Sequence, residues 1–86
     1  MLTDAQTDVL IVLNDPCEIH GRVDLHPNEP LPSALADLGR PDAEVLQATA
    51  DLDELTLIVG VPIEECAHPI AVLGLTARGR QELPSG

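Results

Sequence analysis

Apolar positions along the chain fall first at helical spacing, then in two short β-rich runs, with stop signals between them. In LTDAQTDVLIVLND, Val9, Leu10 and Leu13 recur on one face of a helix. Thr3 is placed to cap that helix, Gln6 to complete a capping box three residues on, and Leu2 precedes the cap. A buried strand over DVLIVLN is the rival, because Val and Ile cluster there. The cap favours the helix, and Asp15-Pro16 stops it.

Residues 16–31, PCEIHGRVDLHPNEPL, carry three Pro and one Gly and read as a connector. Within them EIHGRVDL, with Ile19, Val23 and Leu25 as its apolar points, predicts a short strand that a later hairpin could pair with. PSALADLG predicts a short helix opened by Pro32 and Ser33, burying Ala34, Leu35 and Leu38, and stopped by a left-handed Gly39. After Arg40, Pro41 fixes the approach to a second helix, and Asp42 suits its positive end. That helix runs to about Leu55. Val45, Ala48, Leu52 and Leu55 form its expected inner stripe, with Glu44, Gln47, Asp51 and Glu54 outside.

TLIVGVPI and IAVLGLT are β-rich and flank the polar turn EECAHP, which predicts a hairpin. Gly60 and Pro62 mark the first strand as an edge or a bulge. Thr76 is the expected cap of a final short helix, ARGRQEL, before a frayed PSG tail. The whole predicts one small α+β domain over residues 1–83 with a flexible tail at 84–86.

Composition narrows the function classes. There is no Phe, Tyr or Trp, so the core is aliphatic and stacking platforms for single-stranded nucleic acid are absent. Fifteen acids face four Arg and no Lys, for a net charge of −11. Acids that keep a small surface wet explain this balance. So does adaptation to a very salty cytoplasm, as in haloarchaea. In either case the chain as a whole repels nucleic acid and anionic membranes at low salt. MLTDAQTD lacks the basic segment of a secretory signal, and VLIVL is far too short to span a membrane. The expected compartment is the cytoplasm.

From Leu31 onward, LPSALADLGRPDAEVLQATADLDELTLI resembles the helix-turn-helix core of winged-helix transcriptional regulators. LGLTARGRQEL resembles the segment with which many of them leave the wing, and LTDAQTDVLIVL resembles their first helix. The resemblance covers most of the chain outside residues 16–30. It implies a small winged helix-turn-helix of three helices, a β-hairpin wing and a short C-terminal helix. In that family the second helix of the pair enters the major groove and the wing touches the neighbouring groove or backbone. Carried over by position, Asp42, Ala43, Glu44 and Gln47 face the groove, and Glu64, Glu65, Cys66, Ala67 and His68 form the wing tip. Arg40, Arg78 and Arg80 are the cations placed to meet phosphate.

The sequence departs from the family where DNA contact needs cations, because residues 42–55 contain no Lys or Arg. Two partners therefore stay open: duplex DNA in a salt-rich cell, or a basic protein surface met by the acidic helix face. Family habit also implies a homodimer, with the first helix and the Arg78–Leu83 segment as its surfaces.

Other chemistry is sparse. Cys17-x-x-His20 and Cys66-x-His68, with His26 nearby, supply ligand types for zinc, but the spacing is not that of a finger and no metal is expected. Both cysteines read as free thiols behaving as small apolar residues. No nucleophile, base and oxyanion donor converge, so neither an enzyme nor a cofactor is expected.

Overall fold

A computed structural model describes residues 2–14, 23–26, 29–62 and 70–84. Along the chain these form α1 (Asp4–Leu13), β1 (Val23–Leu25), α2 (Ser33–Ala36), α3 (Asp42–Glu54), β2 (Ile58–Pro62), β3 (Ile70–Leu75) and α4 (Ala77–Gln81). This is a small α+β fold with four helices and a three-stranded antiparallel sheet among the described residues.

The first helix begins where its capping residues require. The Thr3 hydroxyl accepts from the Gln6 N–H at 3.1 Å, and the Gln6 side chain accepts from the Thr3 N–H at 3.0 Å. Two N–H groups that would otherwise lack partners are thereby satisfied. Ala5, Val9, Leu10 and Leu13 are then buried along one side of α1. They pack on Val45, Ala48, Thr49 and Leu52 of α3, and Leu35 of α2 completes the helical layer. Thr49 is the one buried polar residue among the described ones, and its hydroxyl donates to the Val45 carbonyl at 2.9 Å, which offsets the cost of its burial.

The expected helix over 42–55 forms, but its inner stripe differs at one position. Leu55 is 48% exposed and lies just beyond the helix. The turn there is a Schellman motif: Thr56 N–H donates to the Asp53 carbonyl and Leu57 N–H to the Leu52 carbonyl, both at 3.0 Å. Thr56 takes φ +62° at the position where glycine is usual. The reversal throws Leu55 outward and brings Leu57, only 4% exposed, into the core in its place. Ala34 and Leu38, expected as buried points of α2, are half-buried, because that helix is a single turn. Gly39 has the expected left-handed φ of +72°.

Strand order in the sheet is β1-β3-β2, so β3 is central and antiparallel to both neighbours. Val23 pairs with Val72 and Leu25 with Ile70, which fixes the strand expected inside the connector as the outer partner of the hairpin. Val23, Leu25 and Val72 point into the core. The β2–β3 register slips between Val59 and Gly60. Val59 faces Gly74 while Gly60 faces Val72, and Leu73 is the extra residue of a bulge. Val59, Val61 and Leu73 are left on the solvent side of the sheet.

The hairpin base is tied to α4. Thr76 caps α4 by accepting from the Gly79 N–H at 3.1 Å, and its hydroxyl donates to the Thr56 carbonyl at 2.7 Å. Its own N–H donates to the Leu57 carbonyl at 3.1 Å. Gly79 lies against that same Leu57 carbonyl, where no side chain fits. One threonine thus fastens the turn after α3 to the start of α4.

Candidate interaction surface

The outer side of α3 is the surface to which sequence points. Asp42, Ala43, Glu44 and Gln47 are all exposed on it, as are Asp53 and Glu54, with Asp51 half-buried. Asp42 and Glu44 in the first turn suit the positive end of the helix dipole. No cation stands among residues 42–54.

Arg40, the cation expected at the start of this helix, is engaged within the fold. Its Nη2 and Nε donate to Asp8 Oδ2 of α1 at 2.8 and 3.2 Å, and its Nη1 donates to Glu44 Oε1 at 3.2 Å. The hydrogen bond to Asp8, helped by the charges of Asp8 and Glu44 and opposed by partial burial, raises the guanidinium above its ordinary range. Arg40 therefore bridges α1 and α3. Three of its five N–H donors are engaged in this way, and the two carboxylates offset its charge towards a phosphate.

A second polar tie runs alongside. Asp51 accepts from Gln6 Nε2 and from Gln47 Nε2, both at 3.0 Å. Gln47, which could in principle read a base edge, has its amide N–H turned to Asp51. Between the two ties lies an open groove of about 510 Å³ lined by Thr3, Asp4, Ala5, Gln6, Arg40, Glu44, Gln47, Ala48 and Asp51. Much of its surface is apolar, and the polar groups it presents are chiefly carboxylates, which accept hydrogen bonds and attract cations.

Arg78 and Arg80 stand elsewhere, exposed on α4, and make no ion pair among the described residues. The fold thus brings Arg40, Asp42, Glu44 and Gln47 together along α3 and leaves Arg78 and Arg80 apart on α4. His68, with Glu64, Glu65, Cys66 and Ala67, lies outside the described residues, as do Cys17 and His20 of the zinc consideration. Asp8 is the site residue that sequence reasoning did not assign, whereas Asp51 was expected on the outer face but not as the acceptor of Gln6 and Gln47. The Arg40–Glu44 pair follows from i, i+4 spacing, whereas the Asp8–Arg40 contact spans 32 residues and exists only after α1 meets α3.

No protein-family model, no curated protein and no solved structure matches the chain. No helix among the described residues is long and apolar enough to cross a membrane.

Proposed function

We propose that the chain is a non-enzymatic winged-helix-type interaction module whose acidic α3 face recognises a basic protein surface. The order of its elements, with a hairpin whose inner strand also pairs with a short strand between α1 and α2, supports the winged-helix assignment. The engagement of Arg40 by Asp8 and Glu44 carries the choice of partner. It offsets the one cation that the described residues place beside α3 and leaves a face that repels phosphate and attracts Lys or Arg. Isothermal titration with a synthetic Lys/Arg-rich peptide tests this, with an acidic peptide of equal length as control. The Asp42→Asn/Glu44→Gln/Asp51→Asn variant should lose most of the affinity. Equal binding by that variant, or no binding by the wild type, would refute the proposal.

Duplex DNA is the second reading, and Arg78 and Arg80, which make no ion pair among the described residues, favour it. At about 1 M salt the screening length falls to about 3 Å, so separated carboxylates no longer repel phosphate strongly. A gel shift at low and molar KCl separates the two readings. Peptide binding through α3 weakens with salt. DNA retention would appear only at molar salt and disappear in Arg78→Glu/Arg80→Glu.

A further inference from the structure

The groove between α1 and α3 does not end at Asp51. It adjoins a second hollow of about 340 Å³, lined by Gln6, Asp51, Glu54 and Leu55, and the hydrogen-bonded pair Gln6 and Asp51 belongs to both. Glu44, Ala48, Asp51 and Leu55 follow one another at steps of four, three and four residues, so they run in line along one side of α3. Ala5 and Ala48 give the first hollow a small apolar lining, and Leu55, 48% exposed, gives the second a large one. Arg40 stands at the far end with its charge offset by Asp8 and Glu44. At the Leu55 end stand Asp51, Asp53 and Glu54, which make no ion pair among the described residues. Every lining residue of both hollows, together with its chain neighbours, lies among the described residues.

Resting on the reading of α3 as a docking face for basic protein, we propose that the segment docking there is an amphipathic basic helix. One apolar residue of that helix sits over Ala5 and Ala48, a second sits on Leu55, and Lys or Arg at its flanks meet Asp51 and Glu54. Spacing selects the helix. Ala48 and Leu55 stand seven residues apart, about 10 Å along the axis of α3. Residues i and i+7 of a bound helix lie the same distance apart on one face. An extended segment covers about 10 Å in three residues, which turns the two side chains to opposite faces. Charge complementarity selects the sign of the flanks, because the carboxylates around Leu55 attract Lys and Arg. A phosphate backbone offers neither that charge nor an apolar surface for Leu55. Covering a half-exposed leucine adds about tenfold to the affinity that charge supplies.

Isothermal titration with two synthetic peptides of identical composition, rich in Leu, Ala, Lys and Arg, tests this. In the first, apolar residues recur at i, i+3, i+4 and i+7 between basic flanks. In the second, the same residues are permuted so that no helical face is apolar. The patterned peptide should bind the wild type about tenfold more tightly than the permuted one. It should also gain helical ellipticity in far-UV circular dichroism on mixing. Leu55→Ser should remove that advantage and leave the affinity of the permuted peptide unchanged. Leu55 is exposed and lies beyond the end of α3, so the variant keeps the fold, which circular dichroism of the free variant verifies. Equal binding of the two peptides by the wild type would overturn the amphipathic helix and leave the acidic docking face standing. An advantage that survives in Leu55→Ser would overturn the proposal as well, because the helix would not be seated on Leu55. If neither peptide binds, the docking face fails and the helix with it.

Discussion

Replacing Gly79 by alanine should destabilise the protein, although the same change inside an ordinary helix stabilises it. Gly79 lies in α4, where alanine is favoured over glycine by about 0.5–1 kcal/mol. A Cβ at this position, however, would overlap the carbonyl oxygen of Leu57 and come within 3.0 Å of its carbonyl carbon. Both are backbone atoms and cannot rotate away. Relief requires α4 to lift from the start of β2, which stretches the 3.1 Å bond from Thr76 N–H to Leu57 and the 2.7 Å bond from the Thr76 hydroxyl to Thr56. Overpacking of this kind costs about 1–3 kcal/mol, and each weakened hydrogen bond about 1 kcal/mol. With the smallest overpacking cost and the full helix preference, the net loss is still about 2 kcal/mol. For a domain of this size that lowers the thermal midpoint by roughly 8–16 °C and the urea midpoint by about 2 M. The chain has no Trp or Tyr, so the transition is followed by circular dichroism in the far ultraviolet rather than by fluorescence. Gly74→Ala serves as control, because a Cβ there meets nothing within 4 Å. A Gly79→Ala variant as stable as the wild type, or more so, would show that α4 does not press on Leu57.

Three further outcomes follow from the same geometry. Thr56→Gly should raise stability by about 1 kcal/mol in urea denaturation, since a β-branched residue at φ +62° is strained and the carbonyl that Thr76 uses is unchanged. Leu52→Ala should cost about 2–5 kcal/mol and Leu55→Ala under about 0.5 kcal/mol, and comparable losses would mean that Leu55 does turn inward. The thermal midpoint should rise between low and molar KCl, because Asp4, Asp8, Asp42, Glu44, Asp51, Asp53 and Glu54 crowd α1 and α3 and their mutual repulsion is screened by salt. A midpoint that falls or stays level would assign those acids no net repulsion.

Local chemistry settled much of this protein in advance. The Thr3–Gln6 capping box, the left-handed Gly39, the Pro41 start of α3, the irregularity at Gly60 and the Thr76 cap each depend on residues within a few positions of one another. The period of the apolar residues selected the buried faces of α1 and most of α3 for the same reason. Tertiary packing decided what those local rules cannot reach. Leu55 fits the helical period yet turns outward, because the chain reverses at Thr56 and Leu57 fills the core instead. Arg40 reads as a cation open to phosphate until Asp8, 32 residues away, closes on it. Gly79 looks like a weak point in a short helix until the Leu57 carbonyl is found against it. Capping and periodicity act over one or two turns of chain. The partner of a side chain across the core depends on how whole elements come to rest, and no stretch of sequence of that length contains it.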